Sequence, residues 1–172
     1  IYIPGAREID FSPYDSTIVV TGSYTGNYTL GLFTISADGN GTNTYCAKIS
    51  QSLSVLWLNA IGRGNIMGQY SATTDVDEIT GKIYVGRIAY YQITLDHMTI
   101  TQISPNGSKV TAIDKDSEWW GVNKVEAISV KWPYVAVTVN GGLQGILVYD
   151  LSNLAVWYGS KLIHQSGFGG GL

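Results

Sequence analysis

The chain has little of what most enzymes and nucleic-acid-binding proteins rely on. Of its 172 residues only 13% are charged, and it contains one cysteine, Cys46. The formal net charge is −3 and no lysine or arginine cluster is present, which disfavours binding to nucleic acid. No run of 18 apolar residues occurs, so no membrane-spanning segment is expected. A lone cysteine excludes an intramolecular disulfide, and we expect Cys46 to be a small buried hydrophobic residue.

Helix periodicity and catalytic motifs are also missing. Apolar residues do not recur at spacings of three and four, so strands are the expected element. The histidines, His97 in a predicted turn and His164, have no cysteine or histidine partner at metal-ligand spacing. No Gly-x-Ser-x-Gly elbow is present. The sequence therefore predicts a protein that is not an enzyme, with no catalytic residue, metal site or cofactor.

Residues that are typical of strands and turns are abundant. Runs rich in Val, Ile, Thr and Tyr are separated by turn residues such as Ser12-Pro13-Tyr14-Asp15 and Asn140-Gly141-Gly142. Glycine and asparagine permit positive φ in such turns, and proline favours their first central position. Turns recur roughly every eight to twelve residues, a spacing typical of an antiparallel all-β domain.

The runs suggest three similar units of four strands. Aligning Ile35, Ile93 and Tyr149 gives steps of 58 and 56 residues. This divides the single domain, residues 1–172, into approximate repeats 1–61, 62–114 and 115–172. The segments FSPYDS and ISPNGS align instead with a step of 92 residues, which would give nearly four shorter units. We favour three units, because Ser-Pro turns are common in loops.

Three segments resemble blades of β-propeller repeat proteins of the WD40, TolB-like and LVIVD types. They are FSPYDSTIVV at 11–20, ISPNGSKVTA at 103–112 and ILVYDLSNLAVW at 146–157. The Trp-Asp dipeptide and Gly-His pair of WD40 repeats are absent. The resemblance implies about three blade-like sheets of a propeller, and a β-sandwich is the alternative.

Three blades are too few for a ring, since propellers have roughly four to eight. The terminal sheets would then expose apolar flanks and strand edges, and residues 1–4 form an apolar run without an obvious partner. We therefore expect a structural or interaction protein that self-assembles, two copies giving six blades, or that belongs to a larger assembly. A pilin-like β-sandwich whose first strand completes a neighbour is a further alternative.

Aromatic and acidic residues concentrate in the last third of the chain, and a lectin-like function would use them. Ring stacking and fixed hydrogen bonds are what glycan binding needs. Packing between sheets is the competing explanation for the aromatic residues. The candidate ligand-binding residues are Asp116, Glu118, Trp119, Trp120, Trp132 and Tyr134.

Acidic residues in predicted turns support two further hypotheses, a glycosidase site and a calcium site. Asp75, Asp77 and Glu78 form one acidic cluster, and Asp114, Asp116 and Glu118 form another. Two such acids would suit a glycosidase, and their oxygens, like those of residues 38–43, would suit calcium. No glutamate stands at the twelfth position of an EF-hand loop, so we favour solvated turn acids over both readings.

Three Asn-x-Ser/Thr triplets, at Asn27, Asn40 and Asn106, are candidate glycosylation sites. Together with the low charge they place the protein outside the cell, or on a cell or virion surface. The expected partners are other copies of the chain, a larger protein assembly, or glycans.

Overall fold

The fold is all-β, as the sequence predicts. A computed structural model describes residues 2–37, 41–63, 72–91, 94–115, 122–141, 145–153 and 161–165. Within these ranges the chain forms 14 strands and one short 3-10 turn, and no α-helix. The strands form three four-stranded antiparallel sheets and one two-stranded hairpin.

The first sheet has an extra hairpin inserted between its second and third strands. The hairpin strands are β3 (Asn27–Leu30) and β4 (Phe33–Ser36), joined by a turn at Gly31, which has a φ of 62°. In spatial order the sheet contains β1 (Ala6–Ser12), β2 (Thr17–Tyr24), β5 (Asn43–Ile49) and β6 (Val55–Arg63).

The second and third sheets are simple meanders. The second contains β7 (Ala72–Val76), β8 (Ile83–Tyr91), β9 (Thr94–Ile103) and β10 (Lys109–Lys115). The third contains β11 (Val122–Lys131), β12 (Tyr134–Gly141), β13 (Gly145–Asp150) and β14 (Lys161–Gln165), and the 3-10 turn Leu151–Asn153 follows β13.

The alignment that suggested three units does not match equivalent strands. Ile35 lies in the inserted β4, whereas Tyr149 lies in β13, the third strand of its sheet. Residue 93 falls outside the described residues. A strand in a hairpin and a strand in a sheet have the same residue pattern, and only the pairing partner distinguishes them. The two Ser-Pro turns are not equivalent either, since one joins β1 to β2 and the other joins β9 to β10.

The three sheets stack face to face in chain order. Val19, Cys46 and Trp57 of the first sheet form one core with Ile83 and Val85 of the second. The other face of the second sheet packs on the third in a second core, which includes Tyr84, Ile100, Val137 and Leu147. The second sheet is thus buried on both faces, which explains its nearly continuous apolar runs. Cys46 is buried, as predicted.

The prediction of two open apolar flanks is wrong for the first sheet. The β3–β4 hairpin lies over β2, β5 and β6 on its outer face in a third core, whereas Ile9 and Phe11 of β1 are exposed on that face. The rings of Tyr28 and Tyr45 stack with their centroids 4.7 Å apart, and Tyr24 packs beside both. Residues 25–37 therefore supply from within the chain the cover that we expected from a second copy.

The N-terminal segment also has partners within the chain, contrary to the prediction. Ile3 packs against the third core, and the Pro4 carbonyl accepts hydrogen bonds from the hydroxyls of Tyr28 and Tyr45. β1 pairs with β2 along its whole length. Because β1 already occupies its own sheet, donation of this strand to a neighbour is disfavoured.

Candidate functional site

The turns that join the first and second strands of the three sheets form one contiguous surface. Tyr14 of the first turn lies so close to Gly81 of the second that a Cβ on Gly81 would be 2.4 Å from the Tyr14 ring. The Nζ of Lys82 is 5.0 Å from the centroid of the Trp132 ring in the third turn. We call the residues Tyr14, Ile79, Lys82, Trp132 and Tyr134 the turn surface.

Aspartates hold two of these turns in place. Asp15 accepts hydrogen bonds from the hydroxyls of Ser12 and Thr17, and Asp77 accepts them from the Ile79 amide and the Thr80 hydroxyl. Asp77 is buried, so the expectation of a solvated turn acid is wrong there, whereas Glu78 is exposed as expected. Side-chain oxygens satisfy the backbone of tight turns in this way.

The aromatic residues of the turn surface are open to solvent. Trp132 is 39% exposed and Tyr134 is 53% exposed, and Tyr14 is similarly open. Lys82 lies within the distance at which an ammonium group is attracted to an indole ring. The arrangement therefore presents flat apolar rings beside a positively charged donor.

The predicted ligand-binding residues are only partly within the described structure. Trp132 and Tyr134 lie on the turn surface, whereas Asp116, Glu118, Trp119 and Trp120 lie outside the described residues, as does Asn40. The strand β11 runs from Val122 to Lys131, about 30 Å at the usual strand rise. The turn surface therefore lies at the opposite end of β11 from Val122. His97, expected in a turn, lies within β9.

The outer face of the third sheet is a second candidate surface, which the sequence analysis did not localise. Residues paired across β11, β12 and β13 form rows on this face. One row contains Ala127, Thr138 and Ile146, and the edge row contains Lys131, Tyr134 and Asp150. The middle row contains Ser129, Ala136 and Val148. We call the residues of these three rows the third-sheet flank.

The third-sheet flank combines apolar side chains with the hydroxyl groups of Ser129 and Thr138, and it is charged at one edge. Ile146 is 37% exposed, Ala127 is exposed, and Ala136 and Val148 are half-buried. Asp150 is stabilised as a carboxylate, because the hydroxyl and the amide of Ser152 donate to it and lower its pKa. The sequence signal for this face was the run of residues 135–139, which is apolar on both faces.

No arrangement of the described residues indicates a metal centre. No group of three or more His, Cys, Asp or Glu side chains among them is placed to hold a cation. Both oxygens of Asp75 accept backbone amide hydrogen bonds, from Val76 and Val130. The predicted calcium segment at 38–43 lies partly outside the described residues.

Comparison with known proteins identifies no relative. No protein-family model, no curated protein and no solved structure matches the chain. In the described part of the chain, no helix is long and apolar enough to cross a membrane. Functional inference therefore depends on the turn surface and the third-sheet flank.

Proposed function

We propose that this chain is a non-enzymatic structural and interaction protein that assembles with a second copy through the third-sheet flank. The observation on which this depends is the contrast between the two terminal sheets. The hairpin β3–β4 covers the outer face of the first sheet except along the edge strand β1, where Ile9 and Phe11 are exposed, whereas Tyr134 and Ile146 are exposed on the two inner strands of the third. Contiguous exposed apolar side chains on a sheet favour association.

The charges on the flank favour a two-fold arrangement. In an interface between identical faces, each residue meets the residue related to it by the symmetry axis. Lys131 and Asp150 lie on opposite sides of Tyr134 in the edge row. If two such rows meet in antiparallel orientation, Lys131 of each copy faces Asp150 of the other, and the contact is self-complementary.

An open-ended fibre is less favourable than a closed pair. Head-to-tail growth requires two different open surfaces that fit each other. Among the described residues, the first-sheet flank packs against β3, β4 and the N-terminal segment, except at Ile9 and Phe11 of β1. A pair of copies joined at the third sheet therefore leaves only the strip along β1 of this flank open.

The location that we propose is outside the cell, or on a cell or virion surface. Asn27 and Asn106 are exposed, as glycan attachment requires. Asn106 accepts a hydrogen bond from the Ser108 amide in the turn between β9 and β10, so its triplet forms a compact surface turn.

Sedimentation analysis of wild-type protein and the variant Ile146→Asp tests the proposed assembly. We expect the wild type to be a dimer at micromolar concentration, and the variant to be a folded monomer. An unpaired carboxylate in an apolar interface costs about 3 kcal/mol, or about 100-fold in dissociation constant. Ile79→Asp, a matched exposed isoleucine outside the flank, should remain dimeric.

Exchanging the charges of Lys131 and Asp150 tests whether the two residues face each other across the interface. Lys131→Glu should weaken the dimer, and the double variant Lys131→Glu/Asp150→Lys should restore it. A wild-type protein that is monomeric at all concentrations, or a dimer that Ile146→Asp leaves intact, contradicts the proposal.

A second candidate function, glycan binding, is favoured by the turn surface. The exposed Trp132 ring lies beside Lys82 and is followed by the exposed Tyr134. A sugar ring stacks on an indole, and an ammonium group donates hydrogen bonds to its hydroxyl or carboxylate oxygens.

A glycan array separates this function from assembly. If the turn surface binds sugars, Trp132→Ala should weaken binding at least about tenfold, in line with the loss of a central aromatic contact. Val110→Ala, at an exposed apolar position on β10, is the matched control and should bind like the wild type. Unchanged binding by a folded Trp132→Ala protein, or an array without signal, contradicts glycan binding at this surface.

A further inference from the structure

Two neighbouring turns at one end of the first sheet carry large apolar side chains that are open to solvent. The turn that joins β3 to β4 lies against the start of β6, where a Cβ on Gly31 would be 3.1 Å from a methyl group of Val55. Leu32 in this turn is 99% exposed, so almost none of its surface is covered by the chain. The β5–β6 turn precedes Val55 directly. We call the exposed apolar residues of this region the tip patch: Leu32, Phe33, Leu53 and Leu56.

A row of paired residues connects this region with the edge strand β1. Val55 pairs with Ile49, Ile49 with Ile18, and Ile18 with Phe11. Residues paired across neighbouring strands lie on the same face of a sheet. Phe11, which is 55% exposed, is therefore on the same face and at the same end of the first sheet as the tip patch. Exposed apolar side chains occur at this end from one edge strand of the sheet to the other.

The segments that form the tip patch carry no charge. Residues 16–37 and 49–62 contain no aspartate, glutamate, lysine or arginine. Asp15 and Lys48, which precede these two segments, pair with each other. A partner recognised by its charge therefore has no group to pair with in these segments. Binding at the tip patch depends instead on the removal of apolar surface from water.

The polar groups of the β5–β6 turn are hydrogen-bonded within the turn. The Ser50 amide donates to the Ser54 carbonyl and the Leu53 amide donates to the Ser50 carbonyl, both at 2.9 Å. The Ser54 amide donates to the Ser50 hydroxyl (3.1 Å), and the hydroxyls of Ser50 and Ser52 hydrogen-bond to each other (2.9 Å). Groups that are already paired can leave water without the cost of an unmade hydrogen bond.

The hairpin turn is closed in the same way. Leu30 pairs with Phe33 on either side of the turn. One step further from the turn, the hydroxyls of Thr29 and Thr34 hydrogen-bond to each other at 2.9 Å. Both turns therefore present apolar side chains on a backbone whose hydrogen bonds are made within the chain.

Leu53 has a backbone conformation that is unfavourable for leucine. Its φ is 62°, in the left-handed region, where a bulky side chain is an outlier and glycine or asparagine is common. The side chain is 50% exposed, so packing within the fold does not account for the choice of leucine. A contact with something outside the chain does account for it.

We propose that the tip patch inserts into the surface of a lipid bilayer, and that zwitterionic phosphatidylcholine is sufficient for binding. The four apolar side chains enter the boundary between headgroups and acyl chains, while the serine hydroxyls of the β5–β6 turn stay at the level of the headgroups. The strength of such binding scales with the apolar area that is buried. This surface is separate from the third-sheet flank, so lipid binding goes beyond the proposed assembly.

A bilayer fits the tip patch better than a protein partner does. A protein interface of standard size includes about ten direct hydrogen bonds, and the polar groups of the β5–β6 turn are already paired. A protein partner would also need a pocket that matches the protruding Leu32. Lipid chains are fluid and adapt to a protruding side chain.

Co-sedimentation of the protein with phosphatidylcholine vesicles tests the proposal. We expect the wild type to bind equally with and without added phosphatidylserine, and equally in low and high salt, because no cation takes part. Leu32→Ser should weaken partitioning about tenfold, since one leucine no longer leaves water. Tyr2 is 85% exposed and lies beyond the opposite end of β1, so Tyr2→Ser is the matched control and should bind like the wild type.

Leu53→Asn separates lipid binding from folding. Asparagine adopts the left-handed conformation more readily than leucine, so the Tm of the variant should be at least that of the wild type. Its partitioning into vesicles should nevertheless fall about tenfold, as for Leu32→Ser. A role of Leu53 in the fold alone would lower the Tm and leave vesicle binding unchanged.

Several outcomes would overturn lipid binding at the tip patch. They are a wild-type protein that does not partition into phosphatidylcholine vesicles, binding that requires phosphatidylserine or disappears in high salt, and a Leu32→Ser protein that binds like the wild type. Leu32→Ser should also leave the association state of the lipid-free protein unchanged in sedimentation, and a change would assign the patch to contact between copies. Failure of the proposed dimer leaves vesicle binding intact, so the two proposals fail separately.

Discussion

Replacing Lys48 with methionine should lower the free energy of unfolding by about 3 kcal/mol, the lower end of what loss of one partner costs a buried ion pair. Lys48 is only 2% exposed, and its Nζ lies 2.5 Å from Asp15 and 3.3 Å from the Pro105 carbonyl. It therefore connects the first turn of the first sheet with the β9–β10 turn of the second. Asp15 remains partly open to water, which limits the loss.

The same contact has a pH signature. Burial raises the pKa of Asp15, but hydrogen bonds from Lys48, Thr17 and Ser12 outweigh it, so the net shift is downward. Its stabilising contribution is present above the ordinary aspartate pKa and is lost as the pH falls through the lowered value. In Lys48→Met this acid loss should shrink.

Urea titration of wild type and Lys48→Met measures the effect. Arg7→Met, at an exposed position of β1, is the matched loss of a cation and should change stability by no more than about 0.5 kcal/mol. If Lys48→Met is as stable as Arg7→Met, Lys48 does not join the sheets. The β9–β10 turn would then depend on Trp57 and Asn59, which donate to the Pro105 and Gly107 carbonyls.

Replacing Tyr45 with alanine should cost about 3–5 kcal/mol, as for other buried aromatic residues. Tyr45 is fully buried, stacks on Tyr28 of the inserted hairpin and donates to the Pro4 carbonyl. Burial raises its pKa far above the ordinary tyrosine range, with Tyr28 adding to the rise, so the ring remains neutral. The variant loses the contact that holds the hairpin and the N-terminal segment over the first sheet.

Loss of the hairpin cover should also change assembly. With the first-sheet flank open, two different flanks become available, and we expect species larger than a dimer in light scattering. Tyr45→Phe keeps the stack and loses only the hydroxyl contact, about 1 kcal/mol, and should remain dimeric. Tyr28→Ala removes the stack from the hairpin side without emptying the sheet core. If neither alanine variant forms larger species, the hairpin does not limit assembly.

The sequence predicts individual strands more accurately than it predicts which strands lie next to each other. The runs at residues 17–24 and 145–150 predict strands with the bounds observed for β2 and β13, because a strand bounded by turn residues is a local pattern. The run at residues 28–36 predicts a single strand of a sheet, whereas the chain folds back at Gly31. That choice depends on whether Tyr28 stacks on Tyr45, a contact between residues 17 positions apart.

For the candidate sites too, residue type could be predicted from the sequence, whereas contacts between distant residues could not. Trp132 and Tyr134 stood out by residue type, and both are exposed. Glu8 did not stand out, because nothing in β1 indicates that Thr73 and Thr74, 65 and 66 residues further along the chain, will donate hydrogen bonds to it. The sequence grouped Asp75 with Asp77 and Glu78, whereas in the fold Asp75 lies in β7 and accepts from the Val130 amide of β11, and Asp77 accepts from the Ile79 amide in its own turn.

By itself, the sequence determined that this protein is all-β and built of antiparallel strands, because turn residues and runs of β-branched and aromatic side chains act over a few residues. The tertiary structure alone decided how far each sheet flank is covered, which strands Glu8 and Asp75 connect, and which turns touch. These depend on the order in which sheets stack, and stacking is set by side-chain packing between segments distant in the chain.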